Sequence, residues 1–325
     1  MARETVVVRS HPDVLRHRPV LGHPEGPARV RRVLERLGRQ SDRWELETVT
    51  PLPPDDDVVG VLRWLHDPAL IERVRASSEA GEGFVDTGDN PVSRGTWRAA
   101  LSATGLAVGA ALDLVNGRLK RAFLALRPPG HHAERNHAMG FCFFNNVAVA
   151  AEVITRAWQV PVLIVDFDAH HGNGTQGLFW DRPDVGYLSV HRYPFYPGTG
   201  AGDETGGGAG AGTIVNVPLV AGADDDTFTG AFEAALDDLG SRLKPAVILV
   251  SAGFDAHEDD PIGGMKLTDA GYRRMTRAIV QAADLWSEGR VLSVLEGGYN
   301  LDALASAACV HVDELSHDLS TESVS

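Results

Sequence analysis

Short runs of almost uninterrupted apolar residues recur along this chain, and each ends in glycine, proline or a polar cluster. Those predicted to be strands are TVVVRS, RAFLALRPPG, VPVLIVDFDA, VGYLSVH, GTIVNVPL, PAVILVSAG and GRVLSVLEGG. This pattern is typical of strands that are buried on both faces of a parallel sheet. Helical stretches, several of which open with Asp, Thr or Asn, lie between the runs. The alternation predicts one α/β domain with a central, mostly parallel sheet and helices on both faces.

No internal repeat or interdomain linker interrupts the alternation, so residues 1–308 are assigned to this domain. The segment 198–213, GTGAGDETGGGAGAGT, has the composition of a linker. Because it lies between two predicted strands, we interpret it as a surface loop. After about Ala308 the apolar periodicity is lost, and residues 309–325 are predicted to form a frayed tail.

Composition limits the class of partner. The 325 residues carry a formal net charge of −14, which argues against a nucleic-acid partner and is compatible with a cationic amine or lysine-rich peptide substrate. No segment approaches the roughly 18 to 20 uninterrupted apolar residues of a membrane helix, and the first apolar run is too short for a signal peptide. The two cysteines cannot form a disulfide framework, so we expect a cytoplasmic protein. The oligomeric state stays open.

Polar side chains follow five of the predicted strands at the point where each strand ends. They are the His131–His132 pair, the cluster at 166–171, His191, Asp255 and Tyr299. Ligands bind beyond the carboxyl ends of the strands in open α/β sheets. Five segments that are distant in sequence are therefore predicted to meet in one cleft.

Three of these residues suit a metal ion. Asp168 and His170 are two positions apart, so their side chains share a face at the end of a strand, and Asp255 can supply a third ligand. Two carboxylates and an imidazole with an open position suit a catalytic divalent ion such as zinc or iron(II). The alternative is that Asp168 caps the next helix and His170 is a core histidine, and the whole set of polar residues favours the metal.

The adjacent histidines follow a stiff Pro-Pro-Gly turn. Beside a metal, His131 and His132 are interpreted as a general base and an acid or electrostatic partner. Each imidazole needs an acceptor at Nδ1, and Asp166 and Asn173 are available, the carboxylate raising the basicity of its partner more than the amide does. A hydroxyl at Tyr299 would donate a hydrogen bond to a developing oxyanion. The aromatic residues of GFCFF and YPFYPG would line a narrow tunnel.

With these residues assembled, the chain resembles the histone deacetylase and acetylpolyamine amidohydrolase family, which has an arginase-like α/β fold. The resemblance rests on RPPGHHAERNHAMGFCFFNNVAVAA, VDFDAHHGNGTQ, SAGFDAHEDDP and LEGGYN, and it extends from HPDVLRHRPVLGHPEGPARV to EGGYNLDALA. It implies zinc-dependent hydrolysis of the acetyl amide of a lysine side chain or a related amine to free amine and acetate. Asn173, where many eukaryotic class I members have aspartate, indicates the class II-like and bacterial branch.

The resemblance also implies roles for individual residues. The implied zinc ligands are Asp168, His170 and Asp255, and the implied catalytic residues are His131, His132, Tyr299, Asp166 and Asn173. The implied substrate-binding residues are Gly140, Phe141, Phe195, Tyr196, Asp89 at the rim and Arg29 at an internal cavity. The residues that match a structural potassium site are Asp166, Asp168, His170, Ser189 and Val190. Family analogy favours His132 as the main base.

The substrate stays open between acetyl-lysine in a protein, an acetylpolyamine, an acetoin-related compound and a secondary metabolite. Ile262 stands where polyamine-preferring relatives can carry a glutamate gatekeeper. The nearby acids Glu258, Asp259 and Asp260 leave an acidic rim open as an alternative.

Two other functions fit the sequence less well. A binuclear manganese ureohydrolase of the same fold would resemble the patterns D-x-H-x-D and S-x-D-x-D, but Gly172 and Gly253 replace an acid in each. A non-catalytic sensor on a degenerate scaffold should lack Tyr299, a metal ligand or a histidine, and none of these is missing.

Overall fold

An eight-stranded sheet organises the part of the chain that the structure describes. The computed structural model describes residues 5–40 and 43–317. The strands are β1 (Val6–Ser10), β2 (Glu45–Thr48), β3 (Arg121–Leu124), β4 (Val162–Asp166), β5 (Val185–Arg192), β6 (Ile214–Leu219), β7 (Val247–Ala252) and β8 (Val291–Leu295). Their order is β2-β1-β3-β8-β7-β4-β5-β6, and every pairing between these eight strands is parallel. The predicted α/β class is therefore confirmed.

The helices of the described residues fall into two groups. They are α1 (Pro27–Gly38), α2 (Asp55–Leu65), α3 (Pro68–Ala80), α4 (Thr96–Val115), α5 (Asn146–Trp158), α6 (Asn173–Leu178), α7 (Asp225–Leu243), α8 (Asp269–Trp286) and α9 (Leu301–Leu315). Helices α2 to α5 pack on one another and, through α4 and α5, on the sheet, while α1, α7, α8 and α9 form the other layer. Helix α4 is long and apolar enough to cross a membrane, but most of it is buried in the fold, as in a core helix.

The central strands are buried along their whole length, as their apolar sequences predicted. Every residue of β3, β4, β7 and β8 is buried. The sequence patterns did not predict β2, because this strand, ELET, is largely exposed and has no apolar run. It pairs with β1 at the edge of the sheet.

The end of the chain differs from the predicted frayed tail. Helix α9 continues through Leu315, and Cys309, His311 and Val312 are buried on it. The imidazole of His311 lies 2.7 Å from the Thr276 hydroxyl and 2.8 Å from the Ser293 hydroxyl, which joins α9 to α8 and β8. Polar residues of this helix are therefore buried with hydrogen-bond partners inside the fold. Because apolar periodicity counts only apolar residues as buried, it did not predict this part of the helix. Residues 318–325 of the predicted tail lie outside the described residues.

Candidate active site

The sheet order places the predicted polar residues at one edge. Strands β3, β8, β7 and β4 are consecutive neighbours, so their carboxyl ends form one continuous floor. His131 and His132 follow β3, Tyr299 follows β8, Asp255 follows β7, and the 166–171 cluster begins at the end of β4. Four of the five predicted segments thus meet in the structure, whereas His191 lies within β5, where its imidazole is hydrogen-bonded to Ser189 and to the Gly200 carbonyl.

Asp168, His170 and Asp255 form a buried cluster with the geometry of a metal site. Each offers a ligand atom, and these atoms lie within 4.8 Å of one another. The Nδ1 atom of His170 is 3.0 Å from Asp168 Oδ1 and 2.9 Å from Asp255 Oδ2. A proton on His170 Nδ1 therefore lies between the Asp168 and Asp255 carboxylates. A bound cation would be held by the same three side chains.

The electrostatics of the cluster fit a cation. Burial lowers the pKa of His170, but the carboxylates of Asp255 and Asp168 outweigh it and raise the pKa to about 10. Burial, followed by the charge of Asp168, raises the pKa of Asp255 to about 7. Two buried carboxylates side by side are costly unless a positive charge balances them. The donor set of two carboxylates and one imidazole matches a three-ligand catalytic zinc site.

Main-chain groups hold the two carboxylates in place. Asp168 Oδ2 accepts the Gly297 N–H at 2.9 Å, and Asp255 Oδ1 accepts the Ala169 N–H at 2.8 Å. A Cβ atom at Gly297 would lie 2.5 Å from Asp168 Oδ2 and 2.6 Å from Asp255 Oδ2. Only glycine lets the segment after β8 approach this closely. Such supporting contacts fix the orientation of metal ligands.

Metal affinity should rise with pH. Cation binding requires the loss of the proton shared by His170 and of any proton on Asp255, whose metal-free pKa values are about 10 and about 7. Below pH 7 protons compete with the ion at both residues, so affinity should increase from pH 6 towards pH 9 and binding should release protons. Zinc titration by calorimetry in buffers of different ionisation enthalpy measures both quantities. Affinity that is constant over this range would show that the ion binds elsewhere.

The two histidines have the two predicted acceptors. His131 Nδ1 is 3.0 Å from Asp166 Oδ2, and His132 Nδ1 is 2.8 Å from Asn173 Oδ1. The amide nitrogen of Asn173 donates to Glu134 Oε1 at 2.8 Å, which leaves its oxygen facing His132. His132 must therefore donate its Nδ1–H, and its Nε2 is left as a free proton acceptor.

The environments of the two imidazoles push their pKa values apart. Burial lowers the pKa of His131, but the carboxylates of Asp168 and Asp166 outweigh it and raise the pKa to about 10. Burial, reinforced by the neighbouring charge of His131, lowers the pKa of His132 well below its usual value. The rings are 4.0 Å apart. This arrangement offers one cationic and one neutral imidazole side by side, which is typical of an acid–base pair.

Tyr299 lies between β8 and α9. The next residue, Asn300, caps α9 by accepting the N–H groups of Asp302 and Ala303. The N–H of Tyr299 donates to Asp260 Oδ2 at 2.6 Å, and the Tyr299 ring lies 5.1 Å from the Arg29 guanidinium carbon. Burial raises the pKa of the Tyr299 hydroxyl well above its usual value. The hydroxyl is therefore a donor at every physiological pH.

Aromatic residues surround the entrance to this cluster. Phe141 contacts the Tyr299 ring edge-on at 5.8 Å, Phe195 stacks on His170 at 5.0 Å, and Tyr196 contacts His132 edge-on at 5.2 Å between ring centroids. The predicted tunnel residues thus lie around the histidines and the metal ligands.

Asp89 joins the two sides of the rim. Its carboxylate accepts the Tyr196 hydroxyl at 3.0 Å and the N–H of Gly140 at 3.2 Å. Gly140 has φ +58°, and a Cβ atom there would lie 2.3 Å from the His132 ring. The close approach of this segment to the His132 ring therefore requires glycine at position 140.

Arg29 lies in the protein interior. Its guanidinium donates to the carbonyl oxygens of Gly298, at 2.6 Å, and of Glu296, and it forms an ion pair with Glu25. Glu25 in turn makes two hydrogen bonds to Arg127, at 2.7 Å and 2.6 Å. The predicted cavity arginine is thus bound to the segment that carries Tyr299.

Two acids that support the site were not identified from the sequence. The sequence leaves Asp260 open as part of an acidic rim, but the residue is buried and accepts the N–H groups of Ile262, Tyr299 and Asn300. Glu296 is fully buried and accepts main-chain N–H groups of the histidine turn. Glu296 directly follows β8 and precedes two glycines, which was the one sequence signal for it, whereas Asp260 lies eight residues beyond β7 and had no such signal.

Of the residues predicted to hold potassium, Ser189 lies beside Asp166 in the β4–β5 register, and Val190 follows it on β5. Asp168 and His170 lie in the turn after β4. The five residues predicted to hold potassium therefore lie on β4, in the turn after it and on the neighbouring strand β5.

Comparisons with known proteins agree with this geometry. Residues 23–315 match the family model described as histone deacetylase domain. Histone deacetylase 15 of Arabidopsis thaliana is 40% identical over 293 residues, which cover 88% of this chain and 51% of that protein. A probable deacetylase of Archaeoglobus fulgidus is 35% identical over 292 residues, which cover 90% of this chain and 80% of the relative. The chain thus spans about half the length of the Arabidopsis protein.

A solved structure extends the likeness to three dimensions. The crystal structure of the HDA15 HD domain has a TM-score of 0.89 and 37% sequence identity, and the match covers 96% of this chain and 88% of that one.

Proposed function

Because this chain belongs to the histone deacetylase family, we propose that it is a zinc-dependent amidohydrolase. It removes the acetyl group from an acetylated lysine side chain or a related amine and releases free amine and acetate. The observation that carries the proposal is the buried Asp168–His170–Asp255 cluster beside a hydrogen-bonded histidine pair. The metal ligands, the proton acceptor and the hydrogen-bond donor that amide hydrolysis needs all lie at the carboxyl ends of these strands.

The residues divide the chemistry as follows. Zinc held by Asp168, His170 and Asp255 would polarise the acyl carbonyl and lower the pKa of a water molecule. His132, neutral and with Nε2 free, accepts a proton from the attacking water and returns it to the leaving amine. His131, whose Nδ1 is hydrogen-bonded to Asp166, stabilises negative charge as it develops. The Tyr299 hydroxyl donates to the carbonyl oxygen, which carries the most charge in the transition state.

We also propose potassium at Asp166, Asp168, His170, Ser189 and Val190. The support is the resemblance to the family together with the adjacency of these residues on β4, the turn after it and β5. Thermal unfolding in potassium against sodium chloride tests it, because an ion that binds only the native state raises the unfolding temperature. Equal unfolding temperatures in the two salts would reject the site.

A binuclear manganese enzyme does not fit the same residues. A Cβ atom at Gly253 would lie 2.0 Å from Asp168 Oδ2, and one at Gly172 would lie 2.5 Å from Asp166 Oδ2. The two positions where the rival needs additional carboxylates therefore have no room for a side chain.

Acetylpolyamines should not be strongly preferred over acetyl-lysine. Ile262 offers no charge, and Asp260 is buried and engaged by main-chain N–H groups, while Glu258 and Asp259 are exposed. Exposed charges are screened by salt within about 8 to 10 Å, so they attract a polyamine weakly. We expect kcat/KM values for acetylspermidine and an acetyl-lysine peptide to lie within about one order of magnitude, a difference of about 1.4 kcal/mol.

Release of free amine from each substrate by the purified protein measures this ratio and also tests the proposed function. A strong preference for acetylspermidine that is lost in Glu258→Gln or Asp259→Asn would assign the gatekeeping to the exposed acids. Absence of amine release from every acetylated substrate would reject the deacetylase proposal itself.

A further inference from the structure

Glu296 is a buried acid that none of the steps above uses. It follows β8 directly and comes three residues before Tyr299, and none of its surface is exposed. Its Oε2 atom accepts the N–H of Gly130 at 2.6 Å and the N–H of His131 at 3.2 Å. One carboxylate oxygen therefore holds the turn from which both histidines project.

The same residue is bound to the segment that carries Tyr299. The carbonyl oxygen of Glu296 accepts a hydrogen bond from Arg29, which also donates to Gly298 and lies 5.1 Å from the Tyr299 ring. The Glu296 N–H donates to the Ala252 carbonyl of the neighbouring strand at 2.9 Å. Glu296 thus connects the histidine turn, which follows β3, to the tyrosine segment, which follows β8. Strands β3 and β8 are neighbours in the sheet.

The histidine turn needs an acceptor at this point. Pro128 and Pro129 have no N–H, so Gly130 and His131 carry the first main-chain donors after the prolines. Both residues are buried, and a buried N–H without an acceptor is destabilising because it loses its hydrogen bonds to water. A Cβ atom at Gly130 would lie 2.6 Å from the Asn146 nitrogen, so the turn has little room to find another partner.

We infer that Glu296 is a positioning residue that sets the spacing between the histidine pair and Tyr299 through these hydrogen bonds, not through its charge. This inference rests on the proposed deacetylase function. Burial raises the pKa of Glu296 to about 7, so the acid is found in both forms near neutral pH. Either form keeps the oxygen that accepts the two N–H groups.

Two substitutions separate geometry from charge. Glu296→Gln removes the charge but keeps an amide oxygen in the Oε2 position, and its new NH₂ group can donate to the Ser251 hydroxyl, which is 3.4 Å from Oε1. Glu296→Asp keeps the charge but shortens the side chain by about 1.5 Å, so the carboxylate no longer reaches the turn. Ser251→Ala is the matched control, because it removes the partner of Oε1 and leaves both bonds to Oε2.

The inference predicts that Glu296→Gln and Ser251→Ala retain close to normal kcat. Glu296→Asp should lose about 10- to 100-fold in kcat, the range typical of a supporting residue or of a misplacement of about 1 Å. Its KM should change little, since the aromatic rim is not bonded to Glu296. Zinc content and unfolding temperature, measured for each variant, identify any loss caused by unfolding.

A second readout does not depend on turnover. In protein labelled with ¹⁵N-histidine, the imidazole signals of His131 and His132 should shift in Glu296→Asp and stay in place in Glu296→Gln. If the wild-type protein released no amine, the proposed function would fail while this comparison still tested the geometry. A folded Glu296→Gln with low kcat beside a fully active Glu296→Asp would overturn the inference, as would unshifted imidazole signals in Glu296→Asp.

Discussion

Asp255→Ala should lose the bound metal and essentially all turnover together. Asp255 supplies one of three ligand groups, and its Oδ1 atom also accepts the N–H of Ala169, which lies between the other two ligands. Removing it leaves two ligands and a disturbed turn. If the metal lowers the barrier by about 4 kcal/mol or more, turnover falls at least about 1000-fold. Metal content by mass spectrometry and amine release, measured on the same sample, check both effects.

The control for this variant is Asp259→Ala, which removes an exposed acid four residues further along the same loop. It should keep one ion per chain and normal kcat. Since Asp255 is fully buried, circular dichroism must show that the Asp255→Ala protein is folded. A folded variant that kept its ion and its turnover would remove Asp255 from the metal site.

Tyr299→Phe should leave a folded, metal-loaded protein that binds substrate and turns it over very slowly. The substitution keeps the ring and its contacts with Phe141 and Arg29 and deletes only the hydroxyl. Because this hydroxyl meets the carbonyl oxygen most strongly as charge develops, its loss affects the transition state more than the ground state. Loss of one such donor costs about 100- to 1000-fold in kcat, or about 3 to 4 kcal/mol.

Tyr272→Phe serves as the matched control, since Tyr272 is a buried tyrosine on α8 that packs against Phe254 in the core. It should turn over substrate normally. Steady-state kinetics on both variants, with metal content measured alongside, give the comparison. Near-normal kcat in Tyr299→Phe would mean that the metal and the two histidines suffice without the tyrosine.

The strands that carry the site could be predicted because they are buried on both faces. Strands β4 and β7, with sequences VLIVD and VILVSA, are apolar almost throughout. Strand β2 has no such run, since it lies exposed at the sheet edge. Helix α6 has only six residues, NGTQGL, with little apolar periodicity, so it also escaped prediction.

The meeting of the candidate metal ligands, the two histidines and Tyr299 at one edge could be predicted, because each follows a strand and parallel strands end at a common edge. The supporting contacts could not be predicted, because the carboxylates of Glu296 and Asp260 accept hydrogen bonds from main-chain N–H groups of distant segments. A carboxylate that accepts such groups has no fixed sequence spacing from them. The sequence therefore left Asp260 open as part of an acidic rim, whereas in the structure its carboxylate accepts the N–H groups of Tyr299 and Asn300.

The most direct test is stoichiometric reconstitution of the purified protein. The chain is stripped of metal with a chelator, dialysed and given zinc in steps, and amine and acetate release from an acetyl-lysine peptide are measured at each step. The three ligands of the described cluster predict no turnover without metal, a rise that saturates at one zinc per chain, and equal amounts of amine and acetate. Activity unaffected by chelation, or activity that requires two manganese ions per chain, would contradict the account.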